Sequence, residues 1–235
     1  MRIVSLVPSV TETLTAWAIM PIAVTRFCER PDLPAVGWTK NPDIAAIRAL
    51  APDLVVMNVE ENRKEDADAL GEAGIPVHVI AIDRIDDVLS EMTRLAAAVG
   101  LESLPSPLAG WTPPAEPAPV VRAFVPIWRR PWMTVSPTTY GASVLRTVGI
   151  EAVTIDGSER YPTVELDTIV AARPDVVLAP SEPYAFTERH RAELEQVAPV
   201  RFVDGKDIFW WGVRTPGALT RLSDLARELG QTLRR

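Results

Sequence analysis

The sequence predicts a parallel α/β protein of two lobes, and three observations carry that prediction. Short β-branched apolar runs alternate with helical segments along the chain, as parallel α/β architecture requires. A unit of helix, Pro-Asp turn and buried strand occurs twice, at 43–56 and again at 167–178. The 235 residues are enough to bury roughly 70 to 75% of the unfolded surface, either as one large domain or as two lobes.

Taken in order, the strands are expected at 3–7, 22–25, 54–57, 77–80, 120–125, 153–155, 176–178 and 200–203. Helices are expected at 9–19, 43–50, 63–73, 85–99, 139–148, 166–172, 186–196 and 216–229. Ser9 stands three residues before Glu12, the pattern of a capping box, and Pro216 follows Thr215 at a first helical position. Val88, Met92, Leu95 and Val99 recur at helical spacing, and six prolines follow between Ser103 and Pro119. That pattern reads as a helix and then either a stiff, extended connector or a plain surface loop. The Pro-Asp repeat keeps its spacing further on: Glu60 and Glu182 each fall just beyond the repeated strand, and Pro76-Val77 and Pro199-Val200 follow the next helix. Two related lobes result, at 1–84 and 120–235, with 85–119 as bridging helix and Pro-rich connector.

Composition excludes several functions. A net charge of −7 offers no basic field for nucleic acid or for an acidic membrane. One cysteine, Cys28, and two histidines, His78 and His190, exclude a disulfide framework and leave little for a bare-metal centre. The G-x-S-x-G, P-loop and G-x-G-x-x-G patterns are all missing from the sequence. His78 reads as a core residue of a strand and His190 as a solvent-facing residue of a charged helix. The pair Glu60-Glu61 reads more readily as solvated or paired with Arg63 and Lys64 than as an acid-base couple. Catalysis is not indicated. No apolar run reaches membrane-spanning length, and the chain as written carries neither signal peptide nor lipobox, which reads as cytoplasmic. With a leader removed ahead of Met1, the reading becomes periplasmic or extracytoplasmic.

Ligands of parallel α/β units bind beyond the carboxyl ends of the strands. Those loops hold Pro8 and Ser9, then Trp38, Glu60 and Asn62 in the first lobe, and Trp128, Trp132, Tyr184, Trp210, Trp211 and Arg214 in the second. Five of the seven tryptophans fall there. They suit either stacking on a large flat ligand or packing of one lobe on the other.

The opening 2–14, together with Gly37-Trp38-Thr39-Lys40-Asn41-Pro42-Asp43, Ala51-Pro52-Asp53-Leu54-Val55, Ala73-Gly74-Ile75-Pro76-Val77 and Arg173-Pro174-Asp175-Val176-Val177, closely resembles class III substrate-binding proteins of ABC importers. This helical-backbone metal receptor family includes cobalamin-binding and iron-siderophore-binding proteins, and the resemblance covers nearly the whole chain. It implies two Rossmann-like lobes with parallel sheets, joined by a single bridging helix at 85–99, with a ligand in the cleft between them. The early prolines depart from the family's longer helix. By position the resemblance places Pro8, Ser9 and Trp38, and in the second lobe Trp128, Trp210 and Trp211, against the ligand. It places Glu65 and Glu188 as docking residues for an ABC permease. The ligand it implies is a metal chelate, namely a corrinoid, haem or ferric siderophore, with no intrinsic cofactor. The alternative is a cytoplasmic enzyme or accessory protein of cobalamin or metal metabolism on the same scaffold.

Overall fold

The structure, a computed structural model, describes residues 1–154 and 159–234. Its contacts divide the chain into two units. The first comprises Met1–Ile82, Asp86–Thr112 and Trp211–Arg214, and the second Asp83–Ile85, Pro113–Trp210 and Thr215–Arg235.

The first unit runs β1 (Ile3–Ser5), α1 (Pro8–Ala16), β2 (Ala23–Val24), β3 (Gly37–Trp38), β4 (Asn41–Pro42), α2 (Ile44–Ala49), β5 (Leu54–Asn58), α3 (Lys64–Glu72), β6 (Val77–Ile80) and α4 (Asp87–Ala98). Its sheet has the order β2-β1-β5-β6, all parallel. β1 and β5 are buried on both faces, which explains why they read as continuous apolar runs rather than alternating ones. Residues two apart share a face, so Val4, Leu6, Val55 and Met57 meet Ile47 and Leu70 from α2 and α3 in one core cluster. In α4, Val88, Met92 and Leu95 are buried at the expected spacing, and the helix packs with this unit.

The second unit runs β7 (Val121–Phe124), β8 (Pro126–Trp128), β9 (Met133–Thr134), α5 (Tyr140–Thr147), β10 (Ile150–Ala152), α6 (Leu166–Ala171), β11 (Val176–Pro180), a 3-10 turn at Glu188–His190, α7 (Arg191–Leu194), β12 (Val200–Val203), α8 (Gly205–Phe209) and α9 (Thr215–Leu233). Its sheet order, β10-β7-β11-β12, again all parallel, repeats the first. Phe124, Val177 and Ala179 pack against Ile169, Phe186 and Leu194.

The repeated Pro-Asp turn has the same physical basis in both units. Each helix before it ends on a left-handed residue, Ala51 (φ 44°) or Arg173 (φ 54°), and the following proline cannot continue the helix. The aspartate then clamps the start of the first strand. Asp53 Oδ2 accepts the Arg2 N–H at 2.6 Å and Asp175 Oδ2 accepts the Arg122 N–H at 2.7 Å. The Asp53 and Asp175 amides donate back to the carbonyls of Arg2 and Arg122, both at 2.8 Å. Each arginine side chain also donates to a carbonyl at the end of the preceding helix, Leu50 or Ala172, at 2.8 Å.

Several expectations are corrected. Ser9 is no N-cap: Val7 holds that position without a side-chain bond, Pro8 begins the helix, and Glu12 reaches Arg214 instead. The strand expected at 153–155 forms earlier, at Ile150–Ala152, because Gly149 turns the chain there (φ 81°), and Ile155 lies outside the described residues. The 186–196 helix divides into a 3-10 turn and a four-residue helix. Between Pro105 and Thr112 the Pro-rich segment makes tight turns anchored by the fully buried Leu108. Residues 211–214, expected with the second lobe, pack in the first unit. Among the described residues no helix is long and apolar enough to cross a membrane.

Candidate ligand-binding loops

In the first unit, one asparagine ties the strand-end loops together. Asn62 is buried; its Oδ1 accepts the Asn58 N–H at 2.8 Å, and its Nδ2 donates to Thr39 O at 2.8 Å and Leu6 O at 3.5 Å. It thereby joins the loop after β1, the turn of the β3–β4 hairpin and the loop after β5. Asn58 Oδ1 accepts the N–H groups of Glu60 and Glu61, shaping that last loop, while Lys40 Nζ donates to Glu60 O at 3.0 Å. Glu60 and Asn62 are thus held in one connected set of loops with Thr39, next to Trp38 on β3, while Pro8 and Ser9, expected in a loop, are buried in the first turn of α1. Within that set Asn62 is a positioning residue, because its amide is engaged by backbone. Ser9 is 2% exposed and its hydroxyl has no hydrogen-bond partner.

Trp38 stands out from this frame. Carried on β3, it is 45% exposed, with the ring of Phe27, 53% exposed, tilted against it at 5.2 Å and the Arg26 guanidinium over its face at 5.1 Å. Neither Arg26 nor Phe27 was expected from the sequence. Their neighbour Cys28 is a buried thiol 3.2 Å from Thr25 Oγ1, its pKa pushed up by burial.

In the second unit the structure brings Trp128, Trp132 and Tyr184 together. Trp128, 46% exposed on β8, meets Tyr184 edge-on at 5.5 Å; Trp132 stacks on Phe186 at 5.9 Å, and Tyr184 leans on Phe186 at 4.8 Å. Beneath them lies His190, buried rather than solvent-facing. Its Nδ1 accepts the Thr187 N–H at 3.0 Å, and its Nε2 lies 3.3 Å from the Tyr184 hydroxyl and 3.2 Å from Arg189 Nε. Burial, then the charges of Arg189 and Arg129, push the imidazole pKa down. Arg129, over Trp132, is engaged by Glu193 at 2.8 Å.

The remaining expected residues lie apart from that cluster. Trp210 is half-buried under Lys206 Nζ at 4.8 Å. Trp211 is 4% exposed, a core residue of the first unit, and Arg214 is held bidentate by Glu12 at 3.0 and 2.6 Å. Glu65, in the first turn of α3, is exposed, and Glu188 is exposed and paired with Arg191. Burial lowers the pKa of His78 in β6, and its Nε2 has no partner. Among the described residues no three His, Cys, Asp or Glu side chains converge as a metal site.

Comparison with known proteins gives this arrangement relatives. No family model matches the chain. It is 24% identical over 189 residues to a vitamin B12-binding protein of Salmonella choleraesuis, covering 75% of this chain and 71% of that one. Among solved structures, the periplasmic vitamin B12 binding protein of Vibrio cholerae superposes with a TM-score of 0.74 at 17% identity, over 97% of both chains. A periplasmic heme binding protein of Pseudomonas aeruginosa gives 0.76 at 19% identity, over 95% of this chain and 91% of that one. In sequence the chain is similar to vitamin B12-binding proteins, and in fold to class III substrate-binding proteins. The two parallel four-stranded sheets are those of the class III fold, and Trp38 and Trp128 are the half-exposed aromatics that this chain carries on small hairpins beyond its strands.

Proposed function

We propose that this chain is a noncatalytic binding protein for a flat metal chelate, a corrinoid, haem or ferric siderophore, delivered to an ABC permease. The observation that carries the reading is the pair of half-exposed tryptophans, Trp38 and Trp128, each on a two-stranded hairpin beside a strand end and each backed by a second aromatic ring. Paired, half-exposed aromatic rings beside strand ends are the surface on which a flat ligand stacks. The names of the relatives, vitamin B12-binding and heme-binding, agree with that chemistry. In this reading Trp38, Trp128 and Tyr184 touch the ligand, Pro8 and Ser9 border it, and Asn62 and Glu60 hold the loop beneath it. Glu65 and Glu188 dock the permease, and the compartment is that of the periplasmic relatives.

Titration with cyanocobalamin, hemin and ferric siderophores, followed by tryptophan fluorescence, tests it. Quenching that saturates in the micromolar range with at least one ligand, and that weakens about tenfold or more in Trp38→Ala or Trp128→Ala, is expected. Unchanged fluorescence with all three sinks the ligand class. Loss of uptake through the cognate permease in vesicles for Glu65→Ala with Glu188→Ala, at unchanged ligand affinity, tests the docking assignment.

A further inference from the structure

Three guanidinium groups lie over aromatic rings among the described residues: Arg26 over Trp38 at 5.1 Å, Arg129 over Trp132 at 6.0 Å and Arg191 over Phe202 at 4.9 Å. Two of them are neutralised by carboxylates. Arg129 is engaged by Glu193, and Arg191 by both Glu188 and Glu195. Arg26 has no acceptor for its side chain among the described residues; its only fixed polar contact is the backbone N–H, donating to Gly37 O at 3.0 Å. It is also exposed, beside an exposed Phe27 and a half-exposed Trp38.

A guanidinium over an indole gains from the ring's negative face and keeps its planar fork of N–H donors for an acceptor. The Arg26 guanidinium therefore lies beside Trp38 with no protein acceptor among the described residues. The chain as a whole is acidic, at −7, so nonspecific attraction of anions does not explain a bare cation here. A planar ligand that covers Phe27 and Trp38 and bears a carboxylate at its rim would meet both features at once, with the carboxylate accepting a forked pair of hydrogen bonds from Arg26. A ligand whose rim carries only neutral amides would leave that charge unmatched.

We infer that Arg26 is the specificity-determining residue of the first unit, selecting flat chelates that carry a rim carboxylate over neutral ones. This rests on the binding reading above and adds to it the charge of the ligand. The test compares hemin, hemin dimethyl ester and cyanocobalamin against the full-length wild type, Arg26→Gln and Arg26→Lys, in one detergent-containing buffer. Dissociation constants come from tryptophan quenching, and a melting curve confirms that each variant is folded. Wild type is expected to bind hemin about tenfold tighter than its ester; Arg26→Gln should lose that advantage while its affinity for the ester stays unchanged, and Arg26→Lys should regain part of it, since Lys restores the charge without the fork. Hemin and ester bound equally by wild type, an advantage that survives in Arg26→Gln, or binding of cyanocobalamin alone would overturn the inference and leave the binding function standing. No binding of any of the three would overturn this inference, and the binding function would then fall with it unless ferric siderophores bind.

Discussion

The clamp of Asp53 on Arg2 in the first unit and that of Asp175 on Arg122 in the second match to within 0.1 Å, at 2.6 and 2.7 Å, while the loops at the opposite ends of the same strands share little. In the first unit, amide side chains organise those loops: Asn58 and Asn62 bond backbone on three segments. In the second, Ser181 Oγ accepts the Gly205 N–H at 3.0 Å, and aromatic stacking around Phe186 does the rest. The lesson is that the two units agree at the end of the sheet where the chain turns tightly and one aspartate fixes a strand start. The carboxyl ends are free to diverge, and there the two units acquire different surfaces: an unneutralised cation in one, a neutralised cation in the other.

The largest expected effects attack the divergent loops. Gly37 has φ +92°, and a Cβ there would sit 2.7 Å from Asn41 O; at Gly205 a Cβ would sit 2.5 Å from Glu182 O. Both obstacles are backbone, so Gly37→Ala and Gly205→Ala should each lower the unfolding free energy by on the order of 3 kcal/mol in urea titrations. A loss under about 0.5 kcal/mol in one of them would show that its loop is not the rigid frame described.

Next come the clamps. Asp53→Ala and Asp175→Ala should each cost about 1 to 2 kcal/mol, and nearly the same amount; a gap above about 1 kcal/mol would break the equivalence of the two units. Smaller still is the acid response. Burial holds the pKa of both His78 and His190 below the ordinary value of 6.5, helped by Arg94 in one case and by Arg189 and Arg129 in the other. A base whose folded pKa lies below its unfolded one takes up protons more readily when unfolded. Stability is therefore full above about pH 6.5 and lost as the pH falls through the window beneath it. Melting temperatures between pH 8 and pH 5 should show that loss, and His78→Gln and His190→Gln should each flatten its own share. A curve unmoved by His190→Gln would mean that this ring is not buried as described. The smallest effect belongs to Glu188, whose pair with Arg191 is solvent-exposed: Glu188→Gln should leave the melting temperature unchanged, which separates any effect on transport from an effect on folding.

The eight sheet strands are legible as apolar runs, seven of them within a few residues, because parallel strands keep β-branched runs even where, as in β6 and β12, they are only partly buried. The hairpins β3–β4 and β8–β9 are not, since strands of two or three residues have no period to read. Helix α8 hides behind Gly205 and spans five residues. His190 looked solvated because Glu188, Arg189 and Arg191 flank it, yet a 3-10 turn follows a different period and turns the ring inward. At the candidate site the residue types were readable and their states were not. Trp38 and Trp211 look alike in sequence, but one is half-exposed and the other buried, and Arg214 and Arg26 differ only in whether a carboxylate stands opposite.

The exchanged segments bear on how the chain comes off the ribosome. The first unit includes Trp211–Arg214, held by the Arg214–Glu12 pair and by Val213 N–H on Thr13 Oγ1, and the second includes Asp83–Ile85, held by Arg160 on Asp83 and by Ile85 N–H on Ser143 Oγ. Neither unit is therefore a continuous stretch. During synthesis the amino-terminal unit waits for residue 214 before its last segment is in place, by which time most of the other unit has already been made. No single cut of the gene yields two complete halves, and a nascent chain stalled anywhere before residue 211 leaves Glu12 and Thr13 of α1 without the partners this segment supplies.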